Sequence, residues 1–141
     1  MEIKFKQYTG TKTICAAPMI KADAEKLLGI SISPATPGND GYLVEYPDGY
    51  RSWSPAKVFE DAYRVSETHV DRMKIELADL NERICKATRA INTFGAMPQT
   101  SRRELRAQLD AMNLYARILY DRLGIAVSES KADSEPMKSA E

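Results

Sequence analysis

Two runs of apolar residues spaced alternately by threes and fours constrain this chain more than any other feature. They are Val70, Met73, Leu77, Leu80, Ile84, Ala87, Ile91 and Phe94, then Leu105, Leu109, Met112, Ala116, Leu119 and Leu123. At 3.6 residues per turn, this spacing keeps each run on one face of an α-helix. The ten residues 95–104, with Gly95 and Pro98 near their start, predict a chain reversal, so the two helices lie antiparallel and share a seam. One seam between two helices is too narrow for a full core, so the hairpin must pack on something else, and a further copy of the chain meets that need. A second stripe on the second helix (Ala107, Ala111, Leu114 and Ile118, with Tyr115 beside them) calls for a cover, either the N-terminal sheet or another subunit.

The first long helix is predicted over 67–94, where Glu67 and Asp71 favourably face the positive end of its dipole, a length of about 42 Å at 1.5 Å per residue. Ser101-Arg-Arg-Glu104 reads as a capping box opening the second long helix, which Gly124 closes. Residues 128–141 lack periodicity and are expected to be disordered. Upstream, residues 3–17 alternate around Tyr8-Thr-Gly-Thr11 as a β-hairpin would, and residues 21–28 favour a helix closed by Gly29. After a loop at 31–40, Gly41-Tyr-Leu-Val-Glu-Tyr46 and Tyr50-Arg-Ser-Trp-Ser54 flank Pro47-Asp48-Gly49 and predict a second hairpin. Ser54-Pro55 then opens a short helix carried by Val58, Phe59, Ala62 and Tyr63. The expected fold is α+β: a small antiparallel β-sheet with short helices over 1–66, a long antiparallel two-helix hairpin over 67–124, and a tail over 125–141.

Composition narrows the function classes. Twenty Lys and Arg balance twenty Asp and Glu, so net charge provides no attraction to a duplex phosphate backbone, and duplex nucleic acid is not an expected partner. No apolar run approaches the roughly 18 residues of a membrane span, and the start Met-Glu-Ile-Lys-Phe-Lys is unlike a signal peptide, which implies a cytoplasmic protein with no membrane partner. Cys15 and Cys85 lack metal-ligand spacing and read as small apolar residues. The single histidine, His69, sits in the first turn of a charged helix without a nucleophile near it in sequence. No phosphate loop or paired-carboxylate motif is present, so neither enzymatic activity nor a cofactor or metal is expected.

A binding site has better support. Arg102 and Arg103 stand in the first turn of the second long helix, where each opposes the macrodipole by roughly 0.3–1 kcal/mol. A phosphate there would reverse that penalty, held by free N–H groups, Thr100, Ser101, the guanidinium forks and Arg106 one turn on, although Glu104 and solvent could also balance the charge. The second hairpin carries Tyr42, Val44 and Tyr46 on one face of its first strand, while Arg51 and Trp53 share a face of the partner strand. Such groups serve either as core or as a platform for a base and ribose.

These residues resemble a known family. Gly10-Thr-Lys-Thr13, Ala17-Pro-Met19, Asp40-Gly-Tyr-Leu-Val-Glu-Tyr46, Asp48-Gly-Tyr50, Ser52-Trp-Ser-Pro55, Val58-Phe-Glu60 and Ala62-Tyr-Arg64 are similar to the N-terminal region of small phage proteins. There a helical hairpin often follows, similar to Asp71-Arg-Met-Lys-Ile-Glu-Leu77 and Gln108-Leu-Asp-Ala-Met112 with Tyr115, Ile118-Leu119 and Arg122-Leu123. That hairpin resembles the one in the phage Thoeris anti-defence and anti-CBASS sponge proteins. The resemblance implies a homo-oligomer that sequesters a small cyclic nucleotide, either a cyclic ADP-ribose isomer made by a TIR enzyme or a cyclic oligonucleotide made by a cGAS-like enzyme, without breaking a bond. On this reading Arg102, Arg103 and Arg106, with Ser101 and Thr100, receive phosphate, while Asn92 and Phe94, or Tyr46, Tyr50 and Trp53 with Arg51, hold the base and ribose. The competing expectation is an oligomeric interaction protein whose hairpin binds a helix of a host protein.

Overall fold

The computed structural model describes residues 1–93, 95 and 97–134. The chain divides into two units, Met1–Tyr63 and Arg64–Glu141, and the architecture is α+β as expected. In the first unit β1 (Cys15–Pro18), β2 (Gly41–Glu45) and β3 (Arg51–Pro55) form an antiparallel sheet in the order β1-β2-β3. Helix α1 (Lys21–Leu28) connects β1 to β2, and α2 (Ala56–Ala62) follows β3. α1 stops where glycine allows it to: Gly29 takes a left-handed φ of 66° and donates its N–H to the Glu25 carbonyl at 3.0 Å.

The second hairpin forms as its turn residues require, with Leu43 opposite Trp53 and Val44 opposite Ser52. The Tyr42 ring stacks on Phe59 of α2 at 4.1 Å between centroids, and Phe59 stacks on Tyr63 at 5.2 Å, so α2 covers the Tyr42 side of the sheet. Strand β3 continues through Pro55, opposite Gly41, so α2 starts one residue later than Ser54-Pro55 suggested, and Ser54 is a strand residue rather than a cap. Val44 and Ala24 are the fully covered apolar residues of this unit among those described.

The hairpin expected over residues 3–17 does not form. Only Cys15–Pro18 are strand, and they pair with β2. With Cys15 opposite Glu45, any earlier residue would lie beyond the end of β2, where the chain turns away at Pro47 and leaves nothing to pair with. A two-stranded ribbon without a packed face is marginal in water. Ile3 and Phe5 are accordingly exposed.

The second unit is the helical hairpin, α3 (His69–Asn92) and α4 (Gln99–Ser134). α3 starts at a reciprocal capping box: the Asp71 N–H donates to Thr68 Oγ1 at 3.1 Å, and the Thr68 N–H donates to Asp71 Oδ2 at 3.2 Å. The seam is as the spacing requires. Met73, Leu80 and Leu119 form its buried centre, flanked by Val70, Leu77, Ile84, Met112, Ala116 and Leu123, with Ala87 and Ile91 buried farther along α3. Both predicted ends of α4 are corrected. It begins at Gln99, which puts Ser101 inside the first turn rather than at a cap, and it continues through Gly124 to Ser134. Gly124 costs about 1 kcal/mol relative to alanine, but Ala126 extends the seam past it and no proline intervenes. Of the tail expected to be disordered, residues 125–134 are thus helical, and 135–141 lie outside the described residues.

Among the described residues, no helix is long and apolar enough to cross a membrane. Leu119 is 0% exposed at the seam centre, whereas Tyr120, its neighbour, is 71% exposed. Leu119→Ala should therefore cost about 2–5 kcal/mol, and Tyr120→Ala within about 0.5 kcal/mol of nothing, as measured by denaturant unfolding. Equal losses would mean that the seam is not what stabilises the hairpin.

Candidate functional site

The start of α4 brings Gln99, Thr100, Arg102, Arg103 and Arg106 together around an open depression of about 440 Å³. No acidic residue stands in the first turn of α4, so the partial positive charge of its N–H groups is reinforced by the arginines rather than balanced.

The arginines are not equivalent. Arg102 reaches back to the end of α3, where its Nη1 donates to the Ile91 carbonyl at 2.8 Å, satisfying one of the acceptors that a helix C-terminus leaves open. The side chain of Arg103 is 77% exposed, and its nearest acid is its sequence neighbour Glu104 at 3.7 Å, a solvated pair of little strength. Arg106 lies one turn on, exposed, with no ion pair or side-chain hydrogen bond among the described residues. Arg103 and Arg106 thus present two guanidinium groups at i, i+3 on one helix surface. Ser101 is exposed beside them, Asn92 is the last exposed residue of α3, and Phe94 lies outside the described residues.

The difference among the arginines was available in the heptad pattern. Position 102 continues the series 105, 109, 112, 116, 119 and 123 by one step of three toward the N-terminus, which turns it onto α3, whereas 103 and 106 fall outside the series.

The aromatic candidates belong to the first unit and divide between the two faces of its sheet. Cross-strand partners share a face, so Leu43, Glu45, Arg51 and Trp53 lie on one side and Tyr42, Val44, Ser52 and Ser54 on the other. Trp53 is taken up by the fold: its indole N–H donates to the Met19 carbonyl at 2.8 Å, and its ring lies against Gly41, where a Cβ would run into both the indole and the Ser54 carbonyl. The Arg51 Nε is 2.6 Å from Glu45 Oε2, its cross-strand partner. Tyr46 and Tyr50 flank the turn and stack at 5.8 Å. Lys12, which the alternation pattern did not single out, lies with its ammonium 5.4 Å from the Tyr46 ring centroid.

Elsewhere in this unit the Tyr42 hydroxyl donates to Glu60 Oε1 at 2.8 Å, and that bond holds the phenol above its ordinary range, with burial and the carboxylate's charge adding to the effect. Cys15 and Cys85 are both exposed, not buried as small apolar residues would be. No group of three or more acids, histidines and cysteines is placed to hold a metal among the described residues.

Residues 67–125, the segment spanning α3 and most of α4, match the Sequestin family. The match covers the two seams, the turn joining them and all three arginines. It stops short of the end of α4 and does not extend over the first unit. No curated protein and no solved structure matches the chain.

Because Arg102 fastens the turn while Arg106 does not, Arg102→Ala should lower hairpin stability by about 1–2 kcal/mol, and Arg106→Ala should leave it within about 0.5 kcal/mol. Thermal or denaturant unfolding of the two variants makes the comparison, and equal stabilities would remove the structural role given to Arg102.

Proposed function

We propose that this protein is a sequestering binder: it holds a small cyclic nucleotide signal intact and so withholds it from a host immune effector. The observation that carries the reading is the match of its hairpin to Sequestin, a family name that denotes sequestration. The chemistry at the turn supports an anionic ligand. Arg103 and Arg106 offer forks to phosphate oxygens beside a helix start that has no acidic residue of its own in the first turn. The ligands we propose are a cyclic ADP-ribose isomer or a cyclic oligonucleotide, both of which carry the phosphates such a site selects. Binding without turnover needs neither a general acid nor a nucleophile, and the protein is proposed to act stoichiometrically from the cytoplasm.

The outer stripe of α4 supports a homo-oligomer. Leu114 is 51% and Ile118 46% exposed in a single chain, and Ala107 and Ala111 continue the same line with small side chains that let another helix approach. In the proposed assembly further copies cover this stripe, and ligand pockets form where the arginine-bearing turns meet neighbouring subunits.

Two outcomes are expected. Mixed with cyclic ADP-ribose isomers and cyclic di- and trinucleotides, the protein should melt at a higher temperature with at least one of them, and heat denaturation should then release that ligand uncleaved. Arg103→Glu should abolish the shift while leaving oligomer size unchanged. Recovery of cleaved ligand would make the protein an enzyme, and a flat response to the whole panel would remove the sponge reading. Separately, Ile118→Glu should reduce the mass measured by light scattering to that of a smaller species. An unchanged mass would place the interface elsewhere.

A further inference from the structure

The proposed function draws on the hairpin alone, yet the first unit presents a constellation of its own at the tip of the β2–β3 turn. Lys12, Tyr46, Pro47, Asp48 and Tyr50 line an open depression of about 510 Å³, within the range of small-ligand sites. Its frame is fixed by the turn. The Tyr46 N–H donates to the Tyr50 carbonyl at 2.8 Å, the Gly49 N–H to the Tyr46 carbonyl at 2.8 Å, and the Tyr50 N–H to Asp48 Oδ1 at 3.1 Å. These bonds hold the two rings on a rigid support rather than on a mobile loop, which lowers the ordering cost of binding.

Tyr50 is 65% exposed, so much of its ring is open to solvent. The rings are 5.8 Å apart, which leaves no slot for a third ring between them, so a planar ligand would stack on the exposed surface of Tyr50 that borders the same depression as Lys12. Lys12 stands over Tyr46 without an ion pair among the described residues, so its ammonium is available to an anion beside that face. Asp48 has its second carboxylate oxygen free to accept from an exocyclic amine or a ribose hydroxyl. A flat heteroaromatic ring, a sugar and a phosphate are the three parts of a nucleotide.

We infer that the turn of the first unit is a second nucleotide-binding site, in which the base stacks on Tyr50 and the phosphate pairs with Lys12, acting independently of the arginines of the hairpin. It does not rest on the sequestration reading.

The test uses the full chain and AMP as probe, with inorganic phosphate as a control for simple anion binding, both measured by calorimetric titration. AMP should bind more tightly than phosphate. Tyr50→Ala should weaken AMP binding by about tenfold or more, the range of one lost base–aromatic stack. Lys12→Ala should weaken it severalfold, and both losses should persist in an Arg103→Glu background, which removes any contribution of the hairpin's arginines. Both first-unit positions are exposed, so unchanged circular dichroism of these variants is the expected companion result. Absence of AMP binding, AMP binding no tighter than phosphate, or loss through Arg103→Glu but not through Tyr50→Ala would overturn the inference. The last of these outcomes would leave the hairpin site standing.

Discussion

The seam between α3 and α4 is the interaction on which the second unit depends. A hairpin of two helices buries one stripe from each, and here that stripe closes over Met73, Leu80 and Leu119 with a border of partly covered aliphatic residues. Everything else about the unit follows from keeping that contact in register. The capping box at Thr68 and Asp71 fixes where α3 begins, and the Arg102 hydrogen bond to Ile91 ties the opposite end of α3 to the first turn of α4. One end is stabilised by a carboxylate at an N-terminus and the other by a cation at a C-terminus, so both helix ends of α3 are matched to its dipole.

That division decides which charges remain for other work. Arg102 sits on the seam side and serves the fold, whereas Arg103 and Arg106 sit off the seam and, among the described residues, have no partner beyond the solvated Glu104 beside Arg103. Placing cations at the start of a helix works against the fold, yet the cost is small and exposed, and the same geometry that disfavours the side chains favours an anion between them. In the first unit, Arg51 is matched to Glu45 and Trp53 to Met19, while Lys12 and the exposed surface of Tyr50 are left unmatched. In the first unit these groups lie at a turn held by backbone hydrogen bonds, and in the second they lie at the start of α4.

The heptads made the hairpin legible in the sequence, because a strict 3-4 alternation sustained over about five turns in one run and about seven in the other has few other physical realisations. The β2–β3 hairpin was equally legible, since Pro47-Asp48-Gly49 permits little besides a turn. The N-terminal alternation of Ile3, Phe5 and Gln7 misled because period two describes a strand only where an edge is available to pair with it, and β2 ends before those residues arrive. Gly124 misled for a related reason. Glycine closes a helix when nothing holds the next turn, but Ala126 packs onto the seam and carries α4 onward. Trp53 stayed open between core and platform because periodicity assigns a residue to a face without saying what lies on that face. The close approach of Gly41 and the Met19 carbonyl became visible only with the sheet assembled.

Both units are small for the apolar surface they carry, and this ties stability to binding. Domains of this size bury a modest fraction of their surface, and here Leu114, Ile118 and Tyr50 remain substantially in water. Natural small domains offset that deficit with metals, disulfides or partners. Leu114 and Ile118 on α4 are a surface that a partner of this kind would cover. In the proposed assembly, covering the α4 stripe would add stability only in the associated state, and a ligand at the arginine-bearing start of α4 would add it only in the liganded state. A protein that binds as proposed gains stability from what it holds, by an amount that grows with the logarithm of ligand concentration over its dissociation constant.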